Sequence, residues 1–316
     1  FTLSGYEIGV FSSSLANAEL LWEETEAFNI GLDIKLLNNR INMSFDAYDG
    51  TTYNLLLERQ LPRLTGFKDI TTNLGALGNK GLEASINTIN INTKDLEWKT
   101  SLVFSLNRNK IKELWGDFGD YTLLGKEQYG ELPDFQNEWF PGYARDVIWN
   151  YDIKGIWQMH EADAASAYGL KPGDFKAEDV NKDGSYTQLE DKKFIGHTAP
   201  RYRLGLKNDF TFLKNFTASV FIRGDFGHLR AMGILTSDLS TFGLRNAWGL
   251  PYWSPENPTN EFPRLVWPST LSKYGGGITA YKPSGFVRIQ DVSLTYDLPT
   301  RAANKILLKS MRISAV

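Results

Sequence analysis

The stretch FNIGLDIKL, residues 28–36, alternates strictly between apolar and polar side chains. A period of two places the apolar residues on one face of a β-strand and the polar residues on the other. After the turn residues Asn38, Asn39 and Arg40, the stretch INMSFDAY, residues 41–48, resumes the same alternation. The two segments therefore predict a β-hairpin with one apolar and one polar face.

The same two-faced unit recurs three times along the chain. Alternating segments flank turns near 92–95 and 213–215, and a last pair is interrupted by Pro299 and a short helix-like run. Ile289 and Val292 are out of phase, which predicts a bulge near Gln290 and Asp291. Each predicted hairpin thus has a tight turn between its strands.

Long connections separate these hairpins, notably at about 109–200 and 227–284. Short turns on one side and long loops on the other are typical of an outer-membrane β-barrel, with its loops outside the cell. The predicted fold class is therefore all-β, a transmembrane antiparallel β-barrel with long extracellular loops. A plugged importer barrel needs about 22 strands, so we expect residues 1–316 to form only part of one.

Composition narrows the function classes. The net charge is −3, with 34 basic and 37 acidic residues, which gives no electrostatic reason to expect a nucleic-acid partner. Without cysteine there can be no disulfide or thiolate site. His160, His197 and His228 lack metal-ligand spacing and a partnered nucleophile, so nothing indicates an enzyme.

One loop motif carries specific chemistry. Residues 179–190, DVNKDGSYTQLE, match the pattern D-x-[DN]-x-[DN]-G-x5-E of calcium-binding loops. Calcium prefers six to eight oxygen ligands, and Gly184 permits the sharp turn. The predicted ligands are Asp179, Asn181, Asp183, Ser185, Thr187 and Glu190. The alternative is an acidic turn that binds nothing, because the same residues favour turns.

Aromatic residues in the predicted loops are candidates for contact with a substrate or a partner. Flat rings stack on sugar faces and pack at protein interfaces, although they also pack long loops together and form the interfacial band of a barrel. The candidates are Trp139, Phe140, Trp248, Trp253 and Trp267, with Trp149 and Tyr252 in the same segments.

An ordered set of short motifs resembles the SusC-like, or RagA-like, TonB-dependent outer-membrane transporters. The motifs are LWEET at 21–25, NIGLD at 29–33, NR at 39–40, DAY at 46–48, NKGLE at 79–83, NRNKI at 107–111 and RIQDVSLTYDLP at 288–299. They occur in family order over nearly the whole chain. The resemblance identifies the chain as the C-terminal barrel portion of such a transporter, without the plug domain and signal peptide.

The resemblance implies TonB-dependent import of large nutrients across the outer membrane of a Bacteroidetes-type Gram-negative bacterium. It also implies a SusD-like surface lipoprotein as partner, the TonB complex acting through the plug, and a glycan or peptide as cargo. Outer-membrane lipid would surround the barrel, and calcium would brace a long extracellular loop. The alternative from a different class is a soluble secreted calcium-binding β protein that recognises glycans without transporting them.

Overall fold

A computed structural model of the protein describes residues 14–233, 249–265, 271–275 and 277–316. The strands are β1 (Ser14–Leu15), β2 (Glu24–Leu36), β3 (Ile41–Tyr53), β4 (Leu56–Gln60), β5 (Asp69–Asn73), β6 (Ala76–Asn92), β7 (Leu96–Glu113), β8 (Phe118–Leu123), β9 (Lys126–Glu131), β10 (Val147–Tyr151), β11 (Ile153–Ile156), β12 (Phe175–Ala177), β13 (Lys192–His197), β14 (Tyr202–Phe212), β15 (Phe216–Phe226), β16 (Leu229–Ala231), β17 (Tyr281–Pro283), β18 (Phe286–Asp297) and β19 (Arg312–Ala315).

Helices are few and short in the part of the chain that the structure describes. The α-helices are α1 (Ala162–Ala167), α2 (Gln188–Asp191) and α3 (Thr300–Lys305), and single 3-10 turns lie at Arg63–Thr65, Met159–Glu161 and Leu271–Tyr274. Among the described residues, no helix combines the length and apolar character that a membrane crossing needs.

One antiparallel sheet of eight strands organises the chain, in the order β19-β18-β15-β14-β7-β6-β3-β2. Every neighbour in the sheet is also the next sheet strand along the chain, so the sheet is an up-and-down meander. This arrangement confirms the predicted all-β antiparallel fold and its four hairpins. β2 and β19 are the two edges of the sheet within the described residues.

Strand register puts the apolar side chains of neighbouring strands in common rows. Leu32 pairs with Phe45, Phe45 with Ala84, Ala84 with Phe104, and Phe104 with Leu204. This outer face stays open, since Leu32 is 57% and Leu204 38% exposed. No second sheet of comparable size exists in the described ranges to cover it. That is the face of a barrel wall, whereas a soluble sandwich would bury it.

The hairpin turns and the bulge follow the sequence prediction. Leu37, Asn38 and Asn39 all have positive φ, and Arg40 N donates to Leu37 O at 3.2 Å. β18 carries one extra residue opposite β15, because Phe221 pairs with Asp291 and Ile222 with Ile289. Gln290 is therefore the bulged residue, which confirms the phase change seen in the sequence.

An aromatic band lies on the outer face at the turn end of the sheet. Trp98 stacks on Phe210 with ring centroids 5.6 Å apart, and Phe216 packs between Phe212 and Tyr296 at 5.6 Å and 4.6 Å. Rings at the membrane interface are typical of outer-membrane barrels. The other end of the sheet carries the long loops.

The assignment of faces predicts opposite effects for two adjacent substitutions in the full-length protein. Leu32→Arg should destabilise the barrel by about 2–4 kcal/mol, because it puts a charge on the lipid face near the midplane. Asp33→Arg, one position along β2, should change stability far less because that side chain faces water. The measurements are the amount of heat-modifiable receptor in the outer membrane and its thermal unfolding midpoint. Equal loss in both variants would contradict the face assignment.

Candidate functional site

The inner face of the sheet carries a charged trough of about 500 Å³ towards the loop end. Its floor is made of small or apolar side chains. One end, the acidic end, carries the carboxylates of Asp46 and Glu83. The other end carries Arg203, Arg223 and Asp225; we call it the basic end because its net charge is positive. The floor residues are Ser44, Ser85, Val103, Ser105 and Gly205. The trough therefore separates negative from positive charge along the wall. We call it the lumenal trough.

A second cavity of about 350 Å³ continues above the trough and shares Glu83, Ser105 and Arg203 with it. The ring of Tyr48 lies against Gly81, where a Cβ would approach it to 2.1 Å. Its hydroxyl accepts a hydrogen bond from Asn107 Nδ2 at 2.8 Å. The bare glycine thus allows an aromatic side chain to lie flat on the inner wall.

Asp146 joins this upper cavity to the first long loop. Its carboxylate accepts from Asn109 Nδ2 at 2.9 Å and from Ala199 N at 3.3 Å, and lies 3.6 Å from His197 Nδ1. Burial, followed by the charge of Arg201, lowers the pKa of His197 despite Asp146. Burial and the nearby guanidinium of Arg108 also lower the pKa of Arg201. Positive charge is therefore crowded at this end of the wall.

The two long loops fold together into one compact unit, which we call the loop unit and define as residues 147–199, 249–265, 271–275 and 277–283. Buried side chains of both loops form one cluster, which includes Tyr151, Trp157 and Tyr186 from the first loop and Trp253 and Tyr274 from the second. A smaller cluster around Trp149 packs the start of the unit against Leu123 and Phe140. Sequence patterns had treated them as separate loops. β7 also extends to Glu113, beyond the predicted start of the first loop.

Hydrogen bonds between the two loops fix this unit. The hydroxyl of Tyr151 donates to Tyr274 O at 2.7 Å, and the hydroxyl of Tyr274 donates to Phe175 O at 2.8 Å. Arg264 and the buried Asp174 form a bidentate pair at 2.8 Å and 3.1 Å. Bidentate pairs add orientation as well as energy, so they hold the second loop against the first.

Burial corrects the contact predictions for Phe140 and Trp253. Phe140 is fully buried between the rings of Phe135, Trp149 and Phe194. Trp253 is 8% exposed, and its Nε1 donates to Gln158 Oε1 at 3.0 Å. These two rings pack inside the loops. The sequence does not reveal their burial, because an irregular segment has no alternation of apolar and polar residues that would show which side chains are exposed.

Trp139 is the described candidate whose ring reaches a cleft. It is half-buried and lines a cavity of about 230 Å³ with Leu57 and Leu114, and the Arg145 guanidinium lies 5.8 Å from its ring centre. Tyr252 is half-buried and Trp149 is 2% exposed. Trp248 and Trp267 lie outside the described residues.

The calcium-type loop has the turn geometry that its motif predicts. Lys182 and Gly184 have positive φ, and Gly184 N donates to Asp179 Oδ2 at 2.9 Å. Asn181 Oδ1 accepts from Asp183 N at 3.1 Å, and Asp183 Oδ1 accepts from Ser185 N at 2.8 Å. The side-chain oxygens thus line one tight turn of backbone.

Asp191, one residue beyond the motif, occupies the base of this loop. Its fully buried carboxylate accepts from Val180 N and Thr187 N, both at 2.8 Å. Burial, reinforced by the negative charges of Asp179 and Asp183, raises the pKa of this carboxyl. Glu190, the predicted twelfth ligand, instead accepts from Thr187 Oγ1 at 2.7 Å. Asp191, one position beyond the motif, is therefore the buried carboxylate of this loop, and the role of Glu190 as a ligand stays a prediction.

The donors are all oxygens, which hard cations prefer, and the negative charges of Asp179 and Asp183 act on the carboxyl group of Asp191. Within the described ranges, however, no three acidic or histidine side chains converge tightly enough to form a ready metal centre. The carboxylates are engaged with backbone N–H groups, and each retains further lone pairs. The residues fit calcium in kind and order.

The loop is coupled to the aromatic core beside it. The hydroxyl of Tyr168 donates to Asp179 Oδ2 at 2.9 Å, and the Tyr168 and Tyr186 rings stack at 4.7 Å. Burial and that hydrogen bond raise the pKa of Tyr168. Gln188 Nε2 also donates to Gly275 O at 2.6 Å. The loop thus touches both halves of the loop unit.

Two lysines brace the same region. Glu178 pairs with Lys193 at 2.5 Å and with Lys154 at 2.9 Å. Their hydrogen bonds lower the pKa of Glu178 to about 2. The pairs link three short strands of the loop unit beside the calcium-type loop.

Sequence reasoning did not single out Arg203, Asp146 and Asp191. Arg203 could have been found, since it has the polar parity of its strand and shares a row with Glu83. Asp146 and Asp191 lie in irregular segments with no periodic signal, so their roles emerge only from tertiary contacts.

Several TonB-dependent receptors are similar to this chain in sequence. TonB-dependent receptor P3 of Formosa agariphila is 31% identical over 314 residues, which covers 96% of this chain and 30% of the relative. TonB-dependent receptor P26 of the same organism is 30% identical over 94% of this chain and 30% of the relative. TonB-dependent receptor SusC of Bacteroides thetaiotaomicron is 42% identical over 233 residues, covering 72% of this chain and 22% of the relative. The chain thus spans about a third or less of the length of these curated relatives.

Solved structures share the fold. The RagAB peptide transporter matches with a TM-score of 0.61 at 18% identity, over 93% of this chain and 32% of that one. The RagAB peptide importer in its 'closed-closed' state gives a TM-score of 0.63, over 95% of this chain and 33% of that one. No protein-family model matches the chain. Through its relatives and its open, two-faced sheet, this chain belongs to the SusC-like TonB-dependent receptors, of which it forms part of the barrel.

Proposed function

We propose that the complete protein containing this chain imports large nutrients across the bacterial outer membrane. The main observation that supports this proposal is the eight-stranded meander, which has an open apolar outer face and a charged inner face. A wall of this kind needs lipid outside and water inside, and its two open edges need the rest of a barrel. The named TonB-dependent receptors among its relatives support the same function.

The proposed partners are the TonB complex, reached through a plug, and a SusD-like surface lipoprotein over the loops. The similarity to SusC supports the lipoprotein partner. The compact loop unit supports it physically, because pinned loops offer a rigid surface for docking. Trp139 is proposed as a contact for cargo or partner, as are Trp248 and Trp267. The cargo is a glycan or a peptide, and the similar solved structures are of a peptide transporter.

Import is tested with the full-length receptor in its native host. We expect the chain to be recovered in the outer-membrane fraction together with a lipoprotein, and a deletion strain to lose uptake of labelled oligosaccharides or oligopeptides. An uncoupler that collapses the proton-motive force should abolish the same uptake in the wild type. Recovery of the chain as a free 36 kDa soluble protein would refute import and support the soluble glycan-binding alternative.

We further propose that calcium binds the loop at residues 179–191 as a structural brace. Asp179, Asn181 and Asp183 would offer side-chain oxygens, and Ser185 and Thr187 would complete the turn. Support comes from the motif, the positive φ of Lys182 and Gly184, and the buried carboxylate of Asp191. Asp191 replaces Glu190 in our proposal as the carboxylate nearest the loop interior. A bound cation would offset the mutual repulsion of these carboxylates.

Terbium luminescence tests this site, because a tyrosine close to a bound lanthanide sensitises its emission. The purified full-length receptor should give tyrosine-sensitised emission that calcium displaces, and Tyr168→Phe should dim it. Asp179→Asn should weaken binding at least about tenfold, since affinity follows the charge of the ligands. Asp163→Asn, an exposed acid on α1, is the control. Undiminished emission in Asp179→Asn would exclude this loop as the site.

A further inference from the structure

We propose that the lumenal trough is a binding subsite for a zwitterionic peptide segment of the cargo. Its acidic end would hold a cationic group and its basic end an anionic group. This inference rests on the proposed import function and names the class of cargo.

Register fixes the separation of the two ends. Asp46 pairs directly with Glu83, Glu83 with Ser105, and Ser105 with Arg203. Neighbouring strands lie about 4.8 Å apart, so Glu83 and Arg203 are separated by roughly 10 Å across one small serine. An extended chain spans about 3.3–3.6 Å per residue, so the ends are about three peptide residues apart.

The charges of the trough are only partly neutralised within the described chain. The side chains of Glu83 and Arg203 make no hydrogen bond or ion pair with any other described residue. The Asp46 carboxylate accepts only from the nearby Ser44 hydroxyl, at 3.3 Å, among the described residues. Asp225, 5% exposed, is occupied by Arg223 at 2.8 Å. Two carboxylates directly opposite each other are unfavourable, so a cationic group is favoured there.

The trough runs from the middle of the wall, at Asp46 and Glu83, to the loop end, at Arg203. Arg203 is nine residues from Phe212 at the turn end of β14, which is about 30 Å along the strand. The upper cavity that continues from the trough is roofed by Asp146, Ala199 and Pro200 of the first long loop. Cargo arriving between the loops reaches the Arg203 end of this surface first.

Charge complementarity selects among cargo classes. A neutral glycan can hydrogen-bond to Glu83 and Arg203 through its hydroxyl groups, but it brings no charge that would offset theirs. A polyanionic glycan would suit Arg203 but would be repelled by Asp46 and Glu83. A peptide carrying both signs satisfies both ends, and charge-assisted hydrogen bonds to a guanidinium are among the stronger ones.

The test uses the full-length receptor with its lipoprotein, in cells for import and in detergent for binding. The probes are a labelled heptapeptide with one lysine and one glutamate three residues apart, its neutral analogue with acetyl-lysine and glutamine, and a neutral glucose oligomer; both peptides have an acetylated N-terminus and an amidated C-terminus. We expect Glu83→Gln and Arg203→Gln each to weaken binding of the charged peptide about tenfold. Binding of the neutral analogue should change less than twofold. Lys80→Gln, a charge removal on the opposite face of β6, is the control.

A charge exchange provides the sharper arm of this experiment. Glu83→Arg and Arg203→Glu alone each give the two positions the same sign and should abolish the preference for the charged peptide. The double variant restores opposite signs, so the peptide can bind in the reverse direction and the preference should return. Heat-modifiable migration of each variant reports folding. Failure of the double variant to recover, while folded, would overturn the subsite.

The remaining outcomes separate this inference from the import proposal. Import of the glucose oligomer alone, unaffected by the trough variants, would overturn the zwitterion subsite and leave import standing. An equal loss for all three probes would also overturn it, because the trough would then contact the plug. Charge-dependent peptide binding in detergent without import in cells would support the subsite and refute import.

Discussion

Backbone hydrogen bonding between neighbouring strands is the constraint on which every other feature of this molecule depends. The six inner strands of the main sheet pair their N–H and C=O groups with the strands on both sides, so the side chains are free to divide between two solvents. The outer rows are apolar from Leu32 across to Leu204, and the inner rows are small or charged. β2 and β19 leave unpaired backbone on their open sides within the described residues, which a closed barrel removes.

The loop unit is held together by a different set of contacts from those of the sheet. Long connections outside a barrel have no ladder to satisfy their polar groups, so they need a core of their own. Here that core is aromatic, and tyrosine hydroxyls bond to backbone carbonyls of both loops, as Tyr151 and Tyr274 do. The calcium-type loop lies beside it, and Tyr168 joins the two through Asp179. A cation there would stiffen the core and the loop together.

The sequence allowed the hairpins, turns and bulge to be predicted because these features are local. Alternation assigns each side chain to a face, and the phase change at Gln290 marks the bulge. The loop unit could not be predicted, since the Asp174–Arg264 pair joins positions ninety residues apart. A motif fixes order along the chain and not burial, so it selected Glu190 where the fold buries Asp191. Adjacent Trp139 and Phe140 differ in burial for the same reason.

The two faces of the wall differ strongly in how well they tolerate a charged side chain. A charge on the lipid face costs about 2–4 kcal/mol at the midplane, while like charges opposite each other on a wet face cost about 1 kcal/mol or less. The inner face therefore tolerates Asp46 and Glu83 opposite each other, whereas the same pair on the lipid face would destabilise the barrel. The hydrogen bonds between neighbouring strands join backbone groups, so they do not depend on which polar side chain an inner position carries. Inner positions such as Arg203 and the loops can thus change without altering the apolar outer face of the sheet.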